Sequence, residues 1–369
     1  MRIIRNTFLI TLITINHLGS AAQGFPAKYA RLFTLPNTYV AGPTSTTINI
    51  DGQANEPAWQ DAAWTSEFRD IQGEHMPHPT YPTRIKMLWD ANNLYIFAEL
   101  EEEHIWAYYD KQDMIVYHEN DFEVFIDPDG DTHNYYEFEV NAQNILFDLF
   151  LDKPYRNGGK PNIEWNAKGF ESAVYVDGTL NNPTDTDKKW CIEMAIPFSS
   201  LSTDGNFIQP EAGDIWKINF SRVEWQTEII DGKYTRKTNN DGELIPEDNW
   251  VWSPQGVINM HFPERWGLIQ FSSEPPESTH ASFELPEAEL LARHLWHVFY
   301  AQRDYQHEHK TYCNDLATLG IQATGQENST GFLLKMKASG KTYTATLTTN
   351  NNLMISIDQD GLLHLQTDK

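Results

Sequence analysis

The stretch from Asp113 to Asp152 constrains the fold most, because it contains strand-like runs in which apolar and polar side chains alternate. The apolar positions of the first two runs share one face: Phe122, Val124, Ile126, Tyr136, Phe138 and Val140. The opposite face is polar: Asp121, Glu123, Asp127, Tyr135, Glu137, Glu139 and Asn141. Such a surface can bind a neutral polyol or a hard cation, and it is a poor surface for a polyanion.

Strand-like segments recur throughout residues 46–272, with Gly, Asn and Asp at the turns between them. They are found at 83–90, 92–100, 123–127, 135–142, 145–151, 171–178, 190–196, 215–225 and 266–271. Helix signals are few, and short helices are expected only at 57–64 and 197–201. The regular spacing predicts a mainly β domain built as an antiparallel β-sandwich. Residues 23–45, which precede it, read as an irregular lead-in.

A polar, proline-containing segment at 273–282 predicts a linker, and the pattern changes after it. Apolar residues at helical spacing predict an amphipathic helix over Glu284–His309, namely Leu291, Leu295, Val298 and Phe299. Three strand-like runs follow it. Residues 283–369 are therefore expected to form a small α+β domain with a supporting or docking role.

Charge and the N-terminal segment limit the partners of this chain. It has 52 acidic against 27 basic side chains, a formal charge of −25, which argues against nucleic acid and anionic membranes. Residues 1–22 have the pattern of a secretory signal peptide, with Arg2 and Arg5 before a short apolar stretch and small residues at 20–22. No later apolar run has the length of a membrane span. We therefore expect an exported protein, periplasmic or extracellular.

The sequence Asp127-Pro-Asp-Gly-Asp131 is a candidate calcium site. Asp127, Asp129 and Asp131 place three carboxylates at alternate positions around a glycine turn, and calcium prefers such hard oxygen ligands. The bidentate glutamate of a complete calcium loop is missing twelve positions along. The same residues also make a good hairpin connection, so both interpretations stay open. No organic cofactor is expected.

Several segments of the first domain resemble carbohydrate-binding module family 9. The matching segments are DGQANEPAWQDA (51–62), MLWDANNLYIFAEL (87–100), NDFEVFIDPDGD (120–131), YYEFEVN (135–141), AIPFSSL (195–201) and WGLIQF (266–271). Proteins of this family are β-sandwiches of immunoglobulin-like or jelly-roll-like form that bind cellulose, xylan and soluble sugars and carry structural calcium. They are usually attached to glycoside hydrolases. The resemblance therefore implies a role in polysaccharide breakdown.

In the family, two Trp side chains clamp one sugar ring and charged groups bond its hydroxyls. By position, the first Trp falls on Tyr117, the site glutamate on Glu123, and a site arginine on Glu139, which reverses the charge. The second Trp falls at or near Met260. The full set of candidate sugar-binding residues is Tyr117, Glu123, Glu139, Asn141, Trp225, Trp252, Met260 and His261.

Three classes of function remain open at this stage. The first is a non-catalytic carbohydrate-binding protein, with a polysaccharide or oligosaccharide as ligand and a glycoside hydrolase or cell-envelope partner at the C-terminal domain. The second is a glycoside hydrolase, which needs two carboxylates about 5–10 Å apart, and no motif singles out such a pair. The third is a haem-binding redox module with Met260 or His261 as axial ligand, although no CxxCH attachment motif is present.

Overall fold

The computed structural model describes residues 24–202, 205–275 and 283–366. The predicted signal peptide (1–22) and most of the predicted linker lie outside the described residues. The α-helices are α1 Pro57–Asp61 and α2 Glu287–His309. The strands are β1 Thr38–Pro43, β2 Arg69–Asp70, β3 Thr83–Trp89, β4 Asn93–Glu101, β5 Asp121–Asp127, β6 Tyr135–Asn141, β7 Leu146–Leu151, β8 Pro161–Asn162, β9 Glu171–Asp177, β10 Lys189–Pro197, β11 Ile215–Glu224, β12 Thr227–Ile230, β13 Lys233–Arg236, β14 Asp248–Val251, β15 Gly267–Phe271, β16 Thr324–Glu327, β17 Thr330–Ala338, β18 Tyr343–Thr349, β19 Met354–Asp358 and β20 Leu363–Gln366.

The first domain is a sandwich of two sheets joined through β1. One sheet has the strand order β8-β7-β6-β5-β11-β15-β1, and β14 and β2 extend it beside β11. The other sheet has the order β1-β3-β4-β10-β9. Apart from the parallel pairs of β1 with β15 and with β3, the paired strands are antiparallel. The predicted antiparallel β-sandwich is confirmed.

The core between the sheets follows from the period-two alternation of the strands. Phe122, Val124 and Ile126 of β5 point into it together with Phe138 of β6, and all four are fully buried. The facing sheet contributes the inward residues of β3, β4 and β10, and Trp190 is one of them. Burying large aromatic and aliphatic side chains on both sheets provides the main stabilising term. The opposite face of β5 and β6 is thereby directed away from this core.

The prediction of an irregular lead-in over residues 23–45 is wrong for both halves. Ala27–Phe33 is a 3-10 helix, and Thr38–Pro43 is strand β1, which bridges the two sheets. The sequence TYVAGP is short and contains Gly and Pro, so it carries little strand pattern of its own. It is fixed as a strand by its neighbours, since β15 lies along one edge and β3 along the other.

The C-terminal unit places helix α2 against a five-stranded antiparallel meander, β16-β17-β18-β19-β20. All four apolar helix residues that defined the predicted amphipathic face are buried: Leu291, Leu295, Val298 and Phe299. Tyr29 and Phe33 of the N-terminal 3-10 helix belong to the same hydrophobic cluster. The hydrophobic core of the C-terminal unit therefore includes residues from the N-terminal 3-10 helix as well as from α2 and its sheet.

No helix among the described residues is long and apolar enough to cross a membrane.

Candidate functional site

A pocket of about 540 Å³ lies on the outer face of β5, β6 and β7, opposite the sandwich core. Segments outside these strands contribute to its walls, among them the 3-10 helix Val116–His118, the 3-10 helix Tyr155–Asn157 and the loop around Met260. Its floor is set by strand register, because Glu123 pairs with Glu139 and Phe125 pairs with Glu137 across β5 and β6. The polar face that the alternation predicted is thus the base of a pocket and not a solvated outer surface.

Two tyrosines present their rings at this pocket. Tyr117 is 40% exposed and Tyr155 is 41% exposed, whereas most large aromatic side chains of the sandwich are buried. The indole N–H of Trp225 donates to the Tyr117 carbonyl oxygen at 2.8 Å and holds that segment in place. The imidazole of His261 packs edge-on against Tyr155, with ring centroids 4.4 Å apart. The pocket therefore offers two accessible aromatic faces on supported backbone.

Four carboxyl groups lie at or beneath the floor of the pocket: Asp121, Glu123, Glu137 and Glu139. All four are at most 5% exposed. Burial raises the pKa of Glu123 to about 7, and burial together with the neighbouring carboxylates raises the pKa values of the other three well above their usual range. None of the ion pairs among the described residues joins any of the four to a lysine or arginine.

Few hydrogen bonds satisfy these carboxyl groups. Glu139 Oε2 accepts from the Tyr117 backbone N–H at 3.1 Å. Neither oxygen of Asp121 has a hydrogen-bond partner, and the same holds for one oxygen each of Glu123 and Glu137. The backbone of Val223 lies next to the Asp121 carboxyl and partly offsets the rise of the Asp121 pKa. It makes no hydrogen bond of normal geometry with either carboxyl oxygen of Asp121. Buried acceptors without donors are rare in proteins and point to a group that completes the site.

Five of the eight predicted sugar-site residues line this one pocket: Tyr117, Glu123, Glu139, Met260 and His261. The His261 ring is fixed by the Tyr135 hydroxyl, which lies 3.1 Å from its Nδ1. Burial lowers the pKa of His261 to about 3, so the imidazole is neutral at pH 7. Met260 is held by its carbonyl oxygen, which accepts from the Trp266 indole at 2.8 Å.

The other three predicted residues, Asn141, Trp225 and Trp252, do not line this pocket. Trp252 is 1% exposed and packs in the sandwich core against Phe220. Burying its large apolar ring there is more favourable than exposing it to water. Trp225 is buried behind Tyr117 and stacks with the Arg236 guanidinium. Asn141 is fully buried, and its amide donates to the Tyr109 carbonyl and to Glu119, which makes it a loop anchor.

Sequence reasoning missed Tyr155, Glu137, Glu247 and Ile258 as lining residues. Glu137 lies two positions before Glu139 on the same strand face, so the alternation contained the signal. Tyr155 lies in a Pro-Tyr-Arg-Asn-Gly-Gly turn, where an aromatic side chain among turn residues is an indication of a surface role. Ile258 is 71% exposed at the rim, and only the folded chain shows that it borders the pocket.

The Asp127–Asp131 sequence forms the turn between β5 and β6. The Gly130 and Thr132 backbone N–H groups donate to Asp127 at 3.0 and 2.8 Å, and the His133 N–H donates to Asp131 at 2.8 Å. Burial and the Asp129 and Asp131 charges raise the pKa of Asp127, and the Thr132 N–H and Lys217 oppose this. The ligand oxygens of the three aspartates lie within 4.8 Å of one another, so the hairpin interpretation holds and a cation also fits.

The C-terminal unit contacts both loops that carry pocket walls. Glu264, in the loop after Met260, accepts from the Tyr300 hydroxyl of α2 at 2.6 Å and from Arg156 at 2.7 Å. Arg303 of α2 donates to the side-chain oxygen of Asn157 at 2.8 Å, in the turn that carries Tyr155. The unit therefore supports the pocket wall directly.

The geometry defines an antiparallel β-sandwich with an aromatic-walled, carboxylate-floored pocket on an outer sheet face. The sequence model of the family described as "Carbohydrate family 9 binding domain-like" matches residues 50–209. This match covers α1 and strands β2 to β10, with the Tyr117, Glu123 and Tyr155 part of the pocket inside it. The chain thus contains a family 9-like domain, as its sequence motifs indicated.

Two curated relatives share part of this domain. Endo-1,4-beta-xylanase A of Thermoanaerobacterium saccharolyticum is 26% identical over 159 residues, which are 43% of this chain and 12% of that protein. Exoglucanase XynX of Acetivibrio thermocellus is 26% identical over 117 residues, 32% of this chain and 9% of that protein. The chain therefore spans about a tenth of the length of either relative.

A solved family 9 module of Caldicellulosiruptor kristjanssonii, in complex with cellotriose, was also found by structural comparison. It has a TM-score of 0.38 and 14% sequence identity, and the match covers 68% of this chain and all of that one.

Proposed function

We propose that this protein binds carbohydrate in the pocket formed by Tyr117, Tyr155 and the carboxyl groups of β5 and β6. The observation that carries the proposal is the pair of half-exposed tyrosines above buried acceptors, in a domain matched by a carbohydrate-binding family. The catalytic activity of the relatives is not part of this proposal, because only about a tenth of their length is shared.

The chemistry of a sugar ring fits this arrangement. A pyranose presents C–H bonds to an aromatic face, and its hydroxyls need acceptors and donors at the ring edge. Tyr117 and Tyr155 supply the faces, while Glu123, Glu137 and Glu139 supply the acceptors. The volume of about 540 Å³ is within the usual range of small-molecule sites.

The wider role is part of the same proposal. An export signal at residues 1–22 would place the mature protein outside the cytoplasm, where polysaccharides are degraded. The C-terminal unit would then connect the binding domain to a glycoside hydrolase or a cell-envelope partner. Calcium at Asp127, Asp129 and Asp131 would stabilise the turn, in which case chelation should lower the melting temperature and Asp129→Ala should abolish that response.

Isothermal titration calorimetry with glucose, cello-oligosaccharides and xylo-oligosaccharides tests the binding function. Tyr117→Ala and Tyr155→Ala should each weaken binding by about tenfold, because stacking contributes about 0.5–1.5 kcal/mol beyond burial. Tyr175→Ala is the matched control, since Tyr175 is 39% exposed on β9 and lies outside the pocket. Equal loss in all three variants, or none in the first two, would reject this pocket as the sugar site.

The two alternatives from the sequence have separate tests. A glycoside hydrolase would release reducing sugar, and the adjacent Glu123 and Glu139 would then be the pair to replace. A haem-binding module would show a Soret band on addition of haem, lost in His261→Ala or Met260→Ala. In this structure His261 is hydrogen-bonded to Tyr135 and packed against Tyr155, as a wall residue would be.

A further inference from the structure

The carboxyl groups at the base of the pocket form a compact oxygen cluster. One ligand oxygen each from Asp121, Glu123 and Glu139 lies within 4.8 Å of the other two. All three side chains are buried. Such clusters are common without any ligand, so proximity alone does not make a site.

Asp121 provides the independent observation. Its side chain is 0% exposed, it is directed into the cluster, and neither of its oxygens has a hydrogen-bond partner. The acids of the Asp127 turn, in contrast, are met by backbone N–H groups. A buried carboxylate is normally paired or bonded to a metal, because leaving it alone is strongly unfavourable.

The position of Asp121 also indicates which side of the cluster is open. Glu123 and Glu139 line the pocket, whereas Asp121, on the same strand face as Glu123, is fully buried and does not line it. An ion held by all three would therefore face the pocket on the side away from Asp121. Calcium takes about six to eight oxygen ligands. Three carboxylates that each bind mostly through one oxygen provide fewer than this number.

We propose that Asp121, Glu123 and Glu139 hold a divalent cation, calcium by ligand chemistry, at the base of the pocket. Its remaining coordination positions face the pocket and can take two neighbouring hydroxyls of a sugar. Among the described residues no lysine or arginine forms an ion pair with these three acids. The cation would supply the positive charge that balances them. Binding of the ion does not depend on the proposed carbohydrate function, while its contact with hydroxyls rests on it.

Calcium binding to the full chain is measured first, by equilibrium dialysis after chelation. Asp129→Asn protein is used as the background, because this substitution reduces any calcium binding by the turn. This protein should still bind one calcium ion. Adding Asp121→Asn or Glu139→Gln should lower the affinity for that ion at least about a hundredfold. Retention of that calcium in both variants overturns the site. So does the absence of calcium and magnesium binding to folded Asp129→Asn protein at millimolar concentration.

Folding of the variants is checked by thermal unfolding in chelator. Asp121→Asn is nearly isosteric and removes a buried acid that lies beside other acids, so its melting temperature in chelator should equal or exceed that of the parent. Calcium should then raise the melting temperature of Asp129→Asn protein but not of the Asp121→Asn, Asp129→Asn double variant. An equal calcium response in both proteins would contradict the proposal.

Sugar titration with and without calcium separates this inference from the proposed function. Affinity for the sugar identified by calorimetry should fall about tenfold or more on chelation, and Asp121→Asn should reproduce the loss. Calcium bound at the cluster with sugar affinity unchanged would overturn the contact with hydroxyls. Calcium bound with no sugar binding at all would reject the carbohydrate function and leave the metal site intact.

Discussion

The two acidic clusters at the ends of β5 look alike in sequence and differ in their surroundings. Asp121 begins the strand and Asp127 ends it, and both side chains are 0% exposed. Asp127 accepts hydrogen bonds from the backbone of Gly130 and Thr132, whereas Asp121 accepts none. Lys217 partly offsets the rise of the Asp127 pKa, and no cation is among the main groups that shift the pKa of Asp121 in the part of the chain that the structure describes.

This comparison shows that burial of a carboxylate does not by itself identify a functional residue. At Asp127 the burial serves a turn, because the acid satisfies backbone N–H groups that would otherwise be left alone. At Asp121 neither carboxyl oxygen has a hydrogen-bond partner, and the side chain adjoins two acids that line the pocket. The number of donors around a buried acid therefore separates a structural role from a site that awaits a ligand.

We expect the strongest response in the pH dependence of stability, measured by urea unfolding in chelator. The pKa of Glu123 is about 7 in the folded chain, above its value of 4.5 when unfolded. Folded protein therefore holds a proton that the unfolded chain releases between these values, and the free energy of unfolding should fall as pH rises from 4.5 to 7. The loss for this group is on the order of 3 kcal/mol.

Two substitutions show how much each acidic cluster contributes to the fall in the free energy of unfolding with pH. The pKa of Asp131 in the turn is also raised to about 7, from 3.8, so its contribution has the same sign. Glu123→Gln and Asp131→Asn should each flatten part of the slope, and the double variant should flatten more than either. Stability that stays constant or rises between pH 5 and 7 would show that these acids are not buried as described.

The next effect is the direct comparison of Asp127→Asn with Asp121→Asn. Asp127→Asn replaces one acceptor oxygen with an amide donor that faces backbone N–H groups, and it should lower the free energy of unfolding by about 2 kcal/mol. Asp121→Asn should leave it unchanged or raise it in chelator, because it removes an acid whose charged form is opposed first by burial and then by the neighbouring carboxylates. Denaturant unfolding at pH 7.5 measures both, and equal destabilisation would remove the distinction between the clusters.

A smaller effect is expected at the contact between α2 and the pocket wall. Tyr300→Phe removes the hydroxyl that donates to Glu264, while the Arg156 contact remains. We expect a loss of about 1–2 kcal/mol in stability. Sugar affinity should fall a few-fold, because the Met260 loop is held less firmly. Tyr305→Phe, on the same helix, is the control, and an affinity equal to the parent's in Tyr300→Phe would show that α2 does not position the wall.

The fold was predictable where side chains alternate strictly. Strands β5 and β6 begin and end within about two residues of the predicted segments, since one face of each had to meet an apolar core. Strand β1 was missed because its sequence has no alternation and its partners, β3 and β15, are distant in the chain. Helix α2 was recognised because its apolar spacing is local.

The site was predictable only in part, for a similar reason. Glu123 and Glu139 follow from strand alternation, and their pairing across β5 and β6 needs only a hairpin. Tyr155 depends on a turn that Arg303 holds from the far end of the chain, and sequence does not reveal that contact. Trp252 lies in the sandwich core and not at this pocket, and its sequence context, between Val251 and Ser253, fits a core position as well as a pocket.

The position of a bound sugar can be seen in a crystal structure of the protein grown with calcium and a cello- or xylo-oligosaccharide. We expect a sugar ring against Tyr117 or Tyr155, with its hydroxyls directed to the Glu123 and Glu139 side of the pocket. We also expect a calcium ion coordinated by Asp121, Glu123 and Glu139. A sugar bound elsewhere on the sandwich, with this pocket filled only by solvent, would show that this pocket is not the sugar site.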